Sequence, residues 1–76
     1  MNKPIIYSKD NCVQCNFTKR LFDELNIEFE ERNIDVNQTY YDQAKSLGYM
    51  QAPIVVTDFK TWSGFKPDEI KAIANK

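Results

Sequence analysis

The order in which strand-like and helix-like segments alternate constrains the fold of this chain more than any single motif. Short runs rich in β-branched and aromatic residues predict strands, whereas apolar residues spaced three and four apart predict helices. Strands are predicted at residues 3–7, 27–35, 53–57 and 59–62. Helices are predicted after the first, second and fourth strands, so the order is β-α-β-α-β-β-α. This element order helps to decide between the candidate functions of the chain.

Each predicted helix has a recognisable boundary and an inner face. Asn11 is a candidate N-cap for the first helix, and Asn26 can close it. Asn37 can cap the second helix, which Gly48 ends. Pro67, followed by two acidic residues, is a typical entry into the third. The side chains expected to face inward are Val13, Phe17, Leu21, Phe22 and Leu25 in the first helix, Tyr40, Ala44 and Leu47 in the second, and Ile70, Ile73 and Ala74 in the third.

Composition favours one small globular domain over residues 1–76, which we expect to be a monomer. Apolar residues make up 42% and charged residues 28%, and ten basic against eleven acidic residues leave a formal net charge of -1. Because no basic stripe is available to neutralise phosphates, neither nucleic acid nor an anionic membrane is an expected partner. The longest apolar run is too short to span a bilayer, and the N-terminus lacks the pattern of a secretory signal. The cytoplasm is therefore the predicted compartment.

Both cysteines of the chain, Cys12 and Cys15, lie in the stretch KDNCVQC. Structural disulfides, metal sites and thiol–disulfide enzymes all use a Cys-x-x-Cys pair. A disulfide closing so small a ring would contribute only about 2 kcal/mol in the chain-entropy model, and the cytoplasm would keep it reduced. Zinc needs four ligands, and two thiolates without any histidine supply half a site. Copper(I) is the better metal alternative, since two thiolates can hold it. Small copper chaperones, however, have the order β-α-β-β-α-β.

Thiol–disulfide chemistry needs a thiolate, and the position of Cys12 can stabilise one. Cys12 falls in the first turn of the predicted first helix, where free backbone N–H groups and the helix dipole favour an anion. Lys9 can add a positive charge nearby, although an ordinary solvated lysine explains it equally well. We expect Cys12 to attack a partner's disulfide and Cys15, one turn further on, to resolve the mixed disulfide.

Several of these features together resemble the NrdH-type redoxins, a glutaredoxin-shaped group within the thioredoxin-fold superfamily. The features are the element order, the proline that opens the third strand, the tetrad CVQC and the stretch WSGFKP at 62–67. The resemblance covers essentially the whole chain and implies an α/β domain with a central four-stranded mixed sheet flanked by three helices. It also implies electron donation to the large subunit of a class Ib ribonucleotide reductase. Recharging would come from thioredoxin reductase, and so indirectly from NADPH, with no bound cofactor or metal beyond the redox-active disulfide Cys12–Cys15.

Glutathione is the alternative electron source. Glutaredoxins usually carry Cys-Pro-Tyr-Cys, a Thr-Val-Pro before the third strand, and a Gly-Gly and then Asp-Asp segment that holds glutathione. Here the corresponding positions are Gln51-Ala52-Pro53 and SGFKPD at 63–68. This departure favours a reductase protein, and a glutathione-dependent dithiol glutaredoxin stays the alternative among enzymes. The alternative from another class is a metal or iron–sulfur carrier that uses Cys12 and Cys15 as ligands.

The resemblance also implies a surface for partners around the cysteines. Pro53 corresponds to the family's cis-proline, which would expose the Ala52 backbone for pairing with an extended substrate segment; otherwise it merely starts a strand. Trp62 and Phe65 are either core residues or an exposed apolar pair that anchors the reductase. The residues expected to contact a partner are Lys9, Val13, Gln14, Ala52, Pro53, Trp62, Ser63, Gly64 and Phe65.

Overall fold

A four-stranded mixed sheet lies at the centre of the structure, a computed structural model that describes residues 3–75. The strands are β1 (Ile5–Ser8), β2 (Glu30–Asn33), β3 (Ile54–Val56) and β4 (Thr61–Ser63), and the helices are α1 (Val13–Glu24), α2 (Gln38–Ser46) and α3 (Pro67–Ala74). In space the strands follow the order β2-β1-β3-β4, with β1 parallel to β2 and antiparallel to β3, and β4 antiparallel to β3. The predicted element order and mixed sheet are confirmed.

The two faces of the sheet carry separate cores. Ile6, Val55 and Trp62 are paired across β1, β3 and β4, so they lie in one row on the same face. On that face they pack with Phe22 of α1 and Ile70 of α3. The alternating residues face the other way: Tyr7 and Ile54 form the second cluster with Ala44 of α2. The sheet is therefore covered by α1 and α3 on one side and by α2 on the other.

The start of α1 differs from the prediction. Cys12, not Asn11, is the N-cap, because Cys12 has extended backbone angles and its sulfur accepts the Cys15 N–H. Asn11 precedes it with a φ of 56°, in the left-handed region that asparagine tolerates. The predicted closure at the other end is confirmed, since Asn26 has a φ of 58° directly after the helix. An asparagine with left-handed backbone angles thus lies on each side of α1.

The buried face of α1 is also rotated relative to the prediction. Cys15, Thr18 and Phe22 are the buried residues of the helix, whereas Val13 is 64% exposed and Phe17 is exposed as well. A cysteine and a threonine occupy two of the three innermost positions, which is why a search for large apolar side chains misplaces the face. Two other inward assignments were wrong, since Leu47 and Ala74 at the ends of α2 and α3 are exposed.

The remaining helix boundaries are confirmed, whereas all four strands are shifted or shorter than predicted. Asn37 caps α2 by accepting the Tyr40 N–H, Gly48 follows the helix with a φ of 85°, and Pro67 begins α3. The predicted strand at 27–35 shrinks to β2, because its apolar N-terminal part packs on the core before pairing begins. The predicted strand at 59–62 gives way to β4, because residues 57–60 form a turn closed by backbone and side-chain hydrogen bonds of Thr57.

Candidate active site

The two cysteines lie where the chain leaves β1 and enters α1. They form a disulfide with their Cα atoms 5.2 Å apart. Cys12, as the N-cap, keeps 8% of its surface exposed, whereas Cys15, inside the first turn, has none. Of the two cysteines, only Cys12 therefore has surface that another molecule can contact.

Cys12 has the surroundings that stabilise a negative sulfur. The backbone N–H of Cys15 donates to Cys12 Sγ over 3.2 Å, and no acidic residue lies in the first turn of α1. When the disulfide opens, charge on this sulfur meets a backbone donor and the positive end of the helix dipole. Sγ of Cys12 also lies 3.9 Å from the carbonyl oxygen of Ala52, which brings the segment before β3 beside the reactive atom.

The segment before β3 has the conformation that the resemblance implied. The Ala52–Pro53 peptide bond is cis. Pro53 is fully buried, and its carbonyl oxygen accepts the N–H of Gly64 over 2.8 Å. Ala52, by contrast, keeps part of its surface. Pro53 thus links the loop after β4 to the site, and the half-buried Ala52 lies next to Cys12.

The side chain of Gln14 joins α1 to the same loop. Its Oε1 accepts the backbone N–H of Phe65 over 3.1 Å. A Cβ atom on Gly64, whose φ is 85°, would meet that oxygen at 3.4 Å. The backbone angle therefore favours glycine at this position, whereas the Gln14 oxygen would make only an ordinary van der Waals contact with a Cβ atom. The ring of Phe65 packs at a centroid distance of 5.8 Å against Phe17 of α1, which holds the loop a second time.

Trp62 and Phe65 do not form an exposed pair, so the structure decides between the two interpretations that the sequence left open. Trp62 is 4% exposed and belongs to the core cluster, because its pairing with Val55 directs the indole towards α1 and α3. Phe65 lies beyond the strand and is half-buried. The core interpretation therefore holds for Trp62, and of these two aromatic residues only Phe65 keeps accessible apolar surface.

The nine residues expected to contact partners fall into three groups by exposure. Exposed are Lys9, Val13 and Gln14; half-buried are Ala52, Ser63 and Phe65; buried are Pro53, Trp62 and Gly64. The exposed and half-buried residues leave an accessible rim around Cys12.

A groove of about 340 Å³ continues from this rim along the α2 side of the sheet. Lys9 and Ala52 line its end near Cys12, and Tyr7 and Tyr49 line its interior. Tyr7 is held by hydrogen bonds with Arg32 and Gln43, at 3.1 Å each. The hydrogen bond to Glu30 raises the pKa of Arg32 above its ordinary value. Burial lowers this pKa by a smaller amount, and the contacts with Tyr7 raise it further.

A polar cluster lies behind the cysteines, at the end of β1, and nothing in the sequence pattern pointed to it. The buried hydroxyl of Ser8 donates to Glu31 Oε2 over 2.6 Å, and Lys19 Nζ donates to the same oxygen over 2.8 Å. Burial raises the pKa of Glu31, but the hydrogen bonds from Lys19 and Ser8, together with the Lys19 charge, outweigh it and hold the pKa below its ordinary value. The cluster ties α1 to β2 beside the site.

Within residues 3–75 no group of three or more His, Cys, Asp or Glu side chains is placed to hold a metal ion. In the same range no helix combines the length and apolar character needed to cross a bilayer.

The fold and the cysteine pair together define the class of protein. A thioredoxin-like arrangement of four strands and three helices, with a disulfide-forming Cys-x-x-Cys pair at the start of its first helix, is that of a thiol–disulfide oxidoreductase. Comparison with known proteins narrows the class to a family.

The sequence model of the Glutaredoxin family matches residues 5–62. A glutaredoxin-like protein NrdH from Salmonella typhimurium is 40% identical over 68 residues, which cover 90% of this chain and 84% of the relative. The protein of the same name from Lactococcus lactis is 36% identical over 69 residues, or 91% of this chain and 96% of the relative. The solved structure of NrdH-redoxin from Escherichia coli, described as having a thioredoxin-like activity profile, superposes with a TM-score of 0.89 at 33% identity over 95% of both chains. The chain therefore belongs to the glutaredoxin family and, within it, to the NrdH-type glutaredoxin-like proteins.

Proposed function

We propose that this protein is a cytoplasmic, monomeric dithiol redoxin that carries electrons from thioredoxin reductase to the large subunit of a class Ib ribonucleotide reductase. In this proposal Cys12 is the attacking thiol and Cys15 the resolving thiol. The observation that carries it is the asymmetry of the pair: Cys12 is the residue with exposed surface and a backbone donor on its sulfur, while Cys15 is fully enclosed. The partners follow from the family resemblance, and the thioredoxin-like activity profile described for the Escherichia coli relative is consistent with thioredoxin reductase as the electron source.

The reaction follows from that asymmetry. The Cys12 thiolate attacks one sulfur of the partner's disulfide, and that bond breaks as the mixed disulfide forms, its second sulfur leaving as a thiolate that takes a proton. Cys15 then loses its proton and attacks the sulfur of Cys12, closing the Cys12–Cys15 bond and releasing the partner's first sulfur. Two electrons pass to the partner. The dithiol of thioredoxin reductase restores the redoxin by the reverse exchange, with electrons that come ultimately from NADPH.

The accessible rim around Cys12 is the proposed docking surface for both partners. An extended segment of the ribonucleotide reductase, bearing its own cysteines, would pair with the backbone of Ala52 and continue past Lys9 into the groove. The exposed Val13 and the half-buried Phe65 supply apolar surface on the other side of Cys12. Gln14, Ser63 and Gly64 would hold the loop that presents Phe65.

The electron source is tested by NADPH oxidation in the presence of a low-molecular-weight disulfide. The protein is assayed once with thioredoxin reductase and once with glutathione plus glutathione reductase. We expect turnover in the first system and little in the second. Turnover confined to the glutathione system would overturn the assignment of the reductase and favour a dithiol glutaredoxin.

The roles of the two cysteines are tested by matched serine variants in the same assay. Cys12→Ser should abolish turnover, whereas Cys15→Ser should accumulate a mixed disulfide that mass spectrometry detects. Undiminished turnover of Cys12→Ser would remove the proposed mechanism. Metal analysis and absorbance of the purified protein test the carrier alternative, since a bound iron–sulfur cluster or stoichiometric copper would favour it.

A further inference from the structure

Thr18 contains a buried hydroxyl that the folded, oxidised protein leaves unused. The residue is 0% exposed, and its Oγ1 has no hydrogen-bond partner among residues 3–75. An unsatisfied buried hydroxyl loses its hydration without gaining a hydrogen bond, and native proteins contain few of them. We therefore expect the protein to have another state in which the Thr18 hydroxyl forms a hydrogen bond.

The position of Thr18 points to the sulfur of Cys15. The two residues are three apart on α1 and belong to the same fully buried face. Side chains at this spacing are neighbours on a helix, and both lean towards the helix N-terminus, so the side chain of Thr18 covers the turn that carries Cys15. A threonine hydroxyl can donate one hydrogen bond, which a thiol sulfur accepts weakly and a thiolate sulfur accepts more strongly.

The two cysteine sulfurs have different surroundings in the disulfide. Sγ of Cys12 accepts the Cys15 N–H. Sγ of Cys15 is bonded to Cys12 and enclosed, with no comparable donor among the hydrogen bonds of the described chain. When the disulfide is reduced, Cys15 Sγ is freed from that bond and becomes a thiol, or a thiolate during the resolving step, at a place from which water is excluded. A buried thiolate without a donor is strongly disfavoured.

We propose that the Thr18 hydroxyl donates a hydrogen bond to the sulfur of Cys15 in the reduced protein and thereby stabilises the dithiol relative to the disulfide. The inference rests on the proposed resolving role of Cys15, but not on the identity of either partner. In the reduction itself a dithiol reductant supplies two electrons and two protons. Its two thiols close into a disulfide, the Cys12–Cys15 bond breaks, and each cysteine ends as a thiol. Thr18 exchanges no electrons or protons in this step.

The proposal is tested by the redox equilibrium of the purified protein with dithiothreitol, read by acid trapping, alkylation and mass spectrometry. Thr18→Val keeps the shape of the side chain and removes the hydroxyl. We expect its equilibrium constant for reduction to fall about three- to tenfold, and a tenfold fall corresponds to about 30 mV. Thr18→Ser keeps the hydroxyl and should stay within about twofold of the parent protein. An unchanged constant in Thr18→Val, or equal shifts in the valine and serine variants, would overturn the proposal.

Thermal unfolding of both redox states separates a hydrogen bond from a packing effect. Thr18→Val should melt at or above the parent protein when oxidised, because the unsatisfied hydroxyl is gone, and below it when reduced. Equal shifts in the two states would show a packing role alone and contradict the proposal. Thr18→Ala, which also lacks the hydroxyl, replaces the valine variant if valine prevents folding. Because dithiothreitol is the reductant, a failed reductase assay would leave these results standing.

Discussion

At the scale of single residues, the side chain of Gln14 connects the two most characteristic segments of the sequence. It belongs to CVQC, and its Oε1 accepts the backbone N–H of Phe65 in WSGF, 51 positions later. Sequence reasoning placed Gln14 among the residues that contact a partner. The structure gives its oxygen an internal role as well, because the bond holds Phe65 beside Cys12.

Removing that acceptor should weaken docking without unfolding the protein. For Gln14→Leu we expect kcat/KM with thioredoxin reductase to fall about three- to tenfold, mainly through KM, since one hydrogen bond that positions the loop is lost. The bond is exposed, so the free energy of unfolding should change by less than about 1 kcal/mol. Gln14→Glu keeps an acceptor oxygen and serves as the control. If the leucine variant matched the parent protein in steady-state kinetics, the loop would not depend on Gln14.

At the scale of elements, the cluster of Ser8, Lys19 and Glu31 fastens α1 to the edge strand β2. All three side chains meet at one carboxylate oxygen. The pKa of Glu31 is lower in the folded protein than its ordinary value of 4.5, so the unfolded chain binds a proton there more readily. The stabilisation is therefore complete above the ordinary pKa and is lost as the pH falls through the folded one.

Glu31→Gln should accordingly destabilise the protein in a pH-dependent way. We expect a loss of up to about 1 kcal/mol near neutral pH, a modest value because the carboxylate is partly exposed. The difference from the parent protein should shrink as the pH falls through the folded-state pKa of Glu31, because the parent carboxylate is then protonated too. Urea denaturation at several pH values measures it, with Lys19→Met as the companion variant that removes the charge partner. A difference that grew on acidification would contradict the assigned sign.

The sequence predicted the positions of the helices and strands better than it predicted which of their side chains are buried. The periodic spacing of apolar residues was enough for α1, but Cys15 and Thr18 occupy its buried side, so Val13 and Phe17 were wrongly turned inward. Burial of these two small residues depends on packing against the sheet, which local spacing does not record. The polar residues of β2 form a strand only because β1 pairs with them.

Some features of the candidate site could likewise be predicted from the sequence, and others could not. The cysteine pair was evident from spacing, and the cis peptide at Pro53 from the resemblance. The hydrogen bonds of Gln14 and Glu31 join residues far apart in the sequence, and no pattern of residue types announces them. The unpartnered hydroxyl of Thr18 is visible only when burial and hydrogen bonds are known together.

At the scale of the whole molecule, the larger core cluster joins the site to the stability of the fold. Phe22 is fully buried in that cluster and lies on the same face of α1 as Cys15. Its ring meets the edge of Phe29 at a centroid distance of 5.3 Å, which closes the core where the chain approaches β2. Any loss of packing at Phe22 therefore loosens the helix that holds the disulfide.

Phe22→Ala should remove a large part of the total stability. For a chain of 76 residues, the usual free energy of unfolding is about 4–11 kcal/mol, and truncating a buried phenylalanine costs about 3–5 kcal/mol. Urea denaturation followed by the fluorescence of Trp62, which lies in the same cluster, measures the loss. Val36→Ala, at an exposed position, is the control and should change stability by less than about 0.5 kcal/mol. A loss below about 1 kcal/mol in Phe22→Ala would mean that this core contributes little to holding α1 and the site in place.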